Sequence, residues 1–144
     1  VIAYTSVYGN TKKAVELLVE KLDFYGCKKV EVYDLARCDM SQAVAAAFKY
    51  GTLVLASTTY NGDVFPFMRE FVEHLVERNF SNRKVAVIEN GSWAPLVAKV
   101  LSTMLEKSKN IVFAENTVRI LSALNKESAE QIDALAKELC GVKL

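Results

Sequence analysis

The chain has 144 residues, 51% hydrophobic and 24% charged, with a formal net charge of +1. That length suits one domain, spanning 1–144, and is long enough to bury a core without a metal or disulfide staple. The near-neutral charge excludes association driven by bulk attraction to nucleic acid or membrane, the single histidine, His74, excludes a histidine-rich metal site, and no apolar run reaches the roughly 18 residues of a membrane span.

Cys27, Cys38 and Cys140 form no CxxC pair and suggest no disulfide framework, so a reducing cytoplasm is the expected compartment. The chain opens without Met on residues that read as a core strand. That fits a segment of a longer protein or a processed chain, and it shows no signal-peptide pattern.

In chain order, Val1–Tyr4 reads as a short buried strand. From Thr11 to about Phe24 the period turns helical, with Ala14, Leu18 and Leu22 on one face. Lys29–Asp34 alternates like a strand, and the Ala-rich run Ser41–Tyr50 is helical, with Gly51 as its stop. Thr52–Ser57 is almost wholly apolar, as a central parallel strand covered on both faces must be.

Pro66 opens the next helix, on which Phe67, Phe71 and Leu75 form one stripe and Met68, Val72 and Val76 the next. Lys84–Glu89 is a fourth strand and Ala94–Lys107 a helix. Ile111–Ala114 is a fifth strand, with a broken continuation at Val118–Ile120. The last helix runs from about Lys126 to Cys140, with Ile132, Leu135 and Leu139 facing the core.

Strands alternating with helices imply an α/β fold: a five-stranded parallel sheet with helices on both faces. Ligands of such sheets bind beyond the carboxyl ends of the strands, where the strand order reverses. Three loops therefore hold the candidate chemistry.

The first loop is Thr5-Ser6-Val7-Tyr8-Gly9-Asn10-Thr11. It offers hydroxyls at Thr5, Ser6 and Thr11, an amide at Asn10, and a glycine at position 9, and it runs into a helix N-terminus. Unpaired amides and the helix dipole favour an anion there, held by neutral donors because no Lys or Arg lies inside the loop. A plain N-cap is the simpler alternative, but one cap needs only one such residue. Tyr8 either touches the anion or packs.

The second loop, Ser57-Thr58-Thr59-Tyr60-Asn61-Gly62-Asp63, presents an aromatic face and an Asn-Gly turn. The third, Glu89-Asn90-Gly91-Ser92-Trp93-Ala94-Pro95, carries the only tryptophan, which either stacks on a planar ligand or closes the core.

The sequence T-S-x-Y-G-N-T after a hydrophobic first strand resembles the phosphate loop of flavodoxins; it is neither Walker A nor GxGxxG. With S-T-T-Y-N-G-D-V-F-P and E-N-G-S-W-A-P, the chain is most similar to the flavodoxin domain of A-type flavoproteins, the flavodiiron proteins. The third loop departs from the Gly-Ser-Tyr-Gly-Trp common in that family.

The resemblance implies a flavodoxin-like three-layer sandwich with strand order 2-1-3-4-5 and bound FMN as an electron relay. It implies as partner a diiron domain, in the same parent chain or in another protein. By resemblance, FMN contacts come from Thr5, Ser6, Tyr8, Gly9, Asn10, Thr11, Ser57, Thr58, Thr59, Tyr60, Asn61, Gly62, Asn90, Gly91, Ser92 and Trp93, and the Asn61-Gly62 peptide is the one expected to reorient on reduction. Asp63 and Glu89 lie close enough in sequence to put negative charge near the flavin and lower its potential.

The diiron ligands are absent from this sequence, so on this reading the segment holds and relays electrons without reducing dioxygen or nitric oxide itself. An NAD(P)H-dependent FMN or quinone reductase of the same fold is the alternative. A receiver domain needs acidic residues where this chain has Thr5-Ser6 and Ser57-Thr58.

Overall fold

A strand whose successive side chains are all apolar needs cover on both faces, and Leu53–Ala56 and Val85–Ile88 obtain it at the centre of the sheet. The computed structural model describes residues 1–6, 9–60, 63–91, 96–121 and 123–142, with Tyr60 described by its backbone alone. Its elements are β1 (Ile2–Tyr4), α1 (Asn10–Phe24), β2 (Val32–Asp34), α2 (Met40–Lys49), β3 (Thr52–Tyr60), β4 (Asp63–Val64), α3 (Pro66–Glu77), β5 (Arg83–Asn90), α4 (Val97–Met104), β6 (Ile111–Phe113), β7 (Val118–Ile120) and α5 (Lys126–Leu139).

The sheet order is β2-β1-β3-β5-β6, all parallel. This is the expected 2-1-3-4-5 order, with β5 and β6 as the fourth and fifth predicted strands. It reverses between β1 and β3, which places a crevice at their carboxyl ends.

Two cores flank the sheet. Ala3, Leu53, Leu55, Val85 and Val87 pack with α2, α3 and α4, including Phe71, Leu75 and Leu101. Ile2, Tyr4, Val54, Ala56, Ala86 and Ile88 pack with α1 and α5, including Leu18, Ile132 and Leu135.

The broken fifth strand takes its expected form. β6 pairs with the first residues of β5 (Arg83–Val85) and β7 with the last (Ile88–Asn90), so one edge is built in two pieces. The carboxylate of Glu138, on α5, fills the break. It accepts hydrogen bonds from the Glu115 amide (3.0 Å), the Asn116 amide (3.0 Å), Asn116 Nδ2 (2.8 Å) and Lys84 Nζ (3.0 Å).

Four expectations need correction. β2 begins at Val32 and not Lys29, because its neighbour β1 begins at Ile2, the register partner of Val32. Asp63–Val64, expected as loop, forms an antiparallel hairpin with Thr59 and Tyr60. Phe67 and Val76 sit at the edges of their stripes on α3 and are exposed, while Met68, Phe71, Val72 and Leu75 are buried. Finally, Cys27 and Cys140 are joined by a disulfide, with Cα atoms 5.8 Å apart across 113 residues. Spacing along the chain gave no hint of it, because the packing of α1 on α5 makes the pair.

Candidate functional site

The carboxyl ends of β1, β3 and β5 meet the N-terminus of α1. Thr5 continues the line of β1, its amide donating to the Ala56 carbonyl (2.9 Å). Its hydroxyl lies 3.0 Å from Ser57 Oγ, and both residues are fully buried. Ser57 uses its own proton on the Thr58 carbonyl (3.0 Å), so Thr5 is the donor of the pair. The Phe65 amide also donates to Ser57 Oγ (3.4 Å). Thr5 and Ser57 therefore brace the loops from the α3 side of the sheet.

Ser6 Oγ accepts from the Lys12 amide (3.3 Å), in the first turn of α1. Gly9 is the N-cap residue at φ 85°, a left-handed conformation that glycine adopts without steric cost. It contributes no side-chain cap. Among the described residues nothing accepts from the amides of Asn10 and Thr11, which lie at the positive end of the helix dipole.

The opposite face of the sheet holds a polar cluster. Side chains alternate along a strand, so Thr58 follows Val54 and Ala56, and Asn90 follows Ala86 and Ile88, onto the α1 side. Thr58 and Asn90 are register partners. Asn90 is buried, and its Nδ2 donates to Thr11 Oγ1 at 3.2 Å, tying the third loop to the first. Beside this tie the Thr58 hydroxyl is buried with no partner among the described residues. A buried hydroxyl left unmatched costs roughly 1–3 kcal/mol, so a partner from outside the described residues would stabilise it.

The second and third loops are also tied together. The Leu96 amide, at the start of α4, donates to Thr59 Oγ1 (3.4 Å), while the Gly91 amide donates to the Ile120 carbonyl (3.1 Å) and fastens the third loop to β7. Tyr8, Asn61, Gly62, Ser92, Trp93 and the Tyr60 side chain lie outside the described residues. Of the remaining expected site residues, Ser6, Gly9, Asn10, Thr11, Thr58, Asn90 and Gly91 gather at the crevice. Thr5, Ser57 and Thr59 are committed to the ties described above.

The two acidic residues near the loops are not bare charges. Asp63 holds Arg69 in a bidentate pair (2.7 and 2.6 Å) and accepts from the Val64 amide (2.8 Å). The Arg69 hydrogen bonds keep its carboxyl below the usual range. Glu89 is 1% exposed and faces α4, its Oε1 3.7 Å from Arg119 Nε and its Oε2 without a partner among the described residues. Burial pushes its carboxyl up, with partial relief from the Arg119 guanidinium and the Ala98 amide.

No local sequence pattern points to Arg69. A signal for Arg119 exists: it alternates with buried Val118 and Ile120, opposite a charged residue closing the apolar run of β5. Among the described residues no group of His, Cys, Asp and Glu could hold a metal ion, and no helix is long and apolar enough to cross a membrane.

Residues 1–134 match the family model described as a flavodoxin domain. The nitric oxide reductase of Moorella thermoacetica is 24% identical over 115 residues, 80% of this chain and 29% of that protein. The rubredoxin oxygen:oxidoreductase of Desulfovibrio gigas superposes with a TM-score of 0.89 at 20% identity, over 97% of this chain and 34% of that one. The flavodiiron protein of Giardia intestinalis gives 0.85 at 16% identity, over 98% and 35%. At these identities the structural likeness shows the fold, and the chain spans about a third of the length of each of these relatives.

Proposed function

The chain belongs to the flavodoxin domain family, and from that premise we propose that it binds FMN and relays electrons through it. When bound, FMN supplies the electron chemistry, and the protein supplies position and electrostatics. The observation that carries this reading is the buried, unpartnered Thr58 hydroxyl beside the Thr11–Asn90 tie, next to the open amides of α1. A cofactor with a phosphate and a polar, planar remainder fits that donor set.

On this reading the FMN phosphate lies over the N-terminus of α1, against Ser6, Tyr8, Gly9, Asn10 and Thr11. The ring lies between the second and third loops, against Tyr60, Asn61, Gly62, Ser92 and Trp93. Thr58, Asn90 and Gly91 line the floor between them, and Thr5, Ser57 and Thr59 hold the loops in register. Asp63 is neutralised by Arg69 and does not act as a bare charge beside the ring.

The electrons pass to a diiron domain, in the same parent chain or in a partner. Support comes from relatives about three times as long, one of them named a flavodiiron protein. The test is the visible spectrum of the purified protein, followed by addition of FMN and anaerobic reduction. A flavin spectrum saturating at one FMN per chain is expected, with slow bleaching by NADPH alone. Colourless protein that takes up no FMN overturns the reading, and rapid bleaching by NADPH replaces the relay with a reductase.

A further inference from the structure

The proposed cofactor site lies at the carboxyl edge of the sheet; the cysteine pair lies at the opposite ends of α1 and α5. Cys27 follows the turn that closes α1, its amide donating to the Leu22 carbonyl (2.8 Å), and Cys140 is the C-cap residue of α5. We propose that Cys27 and Cys140 form a reversible thiol–disulfide exchange site that reacts with small-molecule disulfides and locks the first helix to the last. This inference does not depend on FMN binding.

Three features favour reversibility over a fixed staple. First, the helix ends are held together without the sulfur bond. Tyr25, the C-cap residue of α1, donates to Asp133 of α5 (2.7 Å), and Lys21 of α1 lies 3.7 Å from the same carboxylate. The two sulfurs thus remain neighbours after reduction, and their effective concentration for closing the ring stays high. Second, the reduced state has a place for its proton, because Cys140 Sγ is 3.7 Å from the Leu22 carbonyl, an acceptor for the thiol.

Third, a small reagent can reach the pair. Both cysteines are half-buried, and Cys27 lines a pocket of about 220 Å³ with Lys29, Val30 and Leu139. Lys29 lines the same pocket, and its charge draws an anionic disulfide toward it. Cys38 packs against the core on the other face of the sheet and does not compete.

The exchange balances in two steps. The Cys27 thiolate attacks one sulfur of the external disulfide, forming a mixed disulfide and releasing one small thiol. The Cys140 thiolate then attacks Cys27 Sγ, forming the protein disulfide and releasing the second. Two electrons pass from the protein sulfurs to the external disulfide, whose two sulfurs take up the two protons.

The test equilibrates the purified chain with oxidised glutathione or with excess dithiothreitol. Acid quenching, alkylation and mass measurement with peptide mapping follow. Of the three thiols, only Cys38 should be alkylated after glutathione, with Cys27 and Cys140 recovered as one linked peptide pair. All three should be alkylated after dithiothreitol, with the native fold kept. The oxidised form should melt roughly 10 °C higher, as expected for closing a long loop.

Cys140→Ser should stop at the first step and carry one glutathionyl group on Cys27. If that variant does not fold, the wild-type peptide map decides alone. Three free thiols in oxidised glutathione, a stable adduct on wild-type Cys27, or a bridge that dithiothreitol opens only on unfolding would each overturn the proposal.

Discussion

Glu138 offers a direct test of how the edge of the sheet is held. Its carboxylate receives four donors from the break between β6 and β7 and from Lys84, and its side chain is 17% exposed. Desolvation alone would raise its pKa. The hydrogen bonds from Lys84, from the amides of Asn116 and Glu115 and from the Asn116 side chain outweigh that and lower it from 4.5 to about 2. The difference corresponds to at most ~3.4 kcal/mol, and ~2 kcal/mol once water around Lys84 is allowed for.

Because the folded value lies below the unfolded one, this contribution is complete above pH 4.5 and is lost as the pH falls toward 2. Glu138→Gln keeps the shape and removes the ionisation. It should be ~2 kcal/mol less stable than the parent at pH 7 by urea unfolding, and the two should converge near pH 2. Asp63 and Asp133, also held low, titrate in both proteins and leave a shared acid slope. A variant whose deficit is the same at pH 7 and pH 2 would show that the carboxylate charge is irrelevant to this junction.

Glu89→Gln should show the opposite sign. The Glu89 pKa is raised by burial, so its contribution is present below the unfolded value and fades as the pH rises through the folded one. In urea unfolding the variant should gain on the parent between pH 5 and pH 8, and a loss over that interval would contradict the burial argument. Asn90→Ala removes the tie to Thr11 and should weaken FMN binding about 10-fold by fluorescence titration, with unchanged affinity counting against the pocket. Phe71→Ala empties a fully buried site between α3 and the sheet and should cost about 3–5 kcal/mol by urea unfolding, whereas a loss below ~1 kcal/mol would mean the core is not packed as described.

The central strands were legible because each is an apolar run between helical periods, whereas their order came from the family resemblance. The split fifth strand was legible because Val118 and Ile120 alternate around Arg119. The hairpin at Asp63–Val64 was not, since two residues after Asn-Gly read as turn, and its anchor Arg69 lies six residues on, outside any local pattern. The first loop's residue types suggest an anion site, a reading that titration with FMN tests. Which hydroxyls face a ligand depended on strand alternation and on contacts across the sheet. Thr5 and Ser57 turn to each other, while Thr58 and Asn90 face α1. The Cys27–Cys140 contact depends on helix packing across 113 residues, which no spacing rule encodes.

The proposed FMN site places the phosphate at the N-terminus of α1 and the body of the cofactor in the crevice beside it. Its most direct test is a pair of equilibrium titrations of the flavin-free protein, one with FMN and one with riboflavin, followed by quenching of flavin fluorescence. Charge-assisted hydrogen bonds from the first loop should make FMN at least about 100-fold tighter than riboflavin. Equal affinities, or no binding of either, would contradict the account.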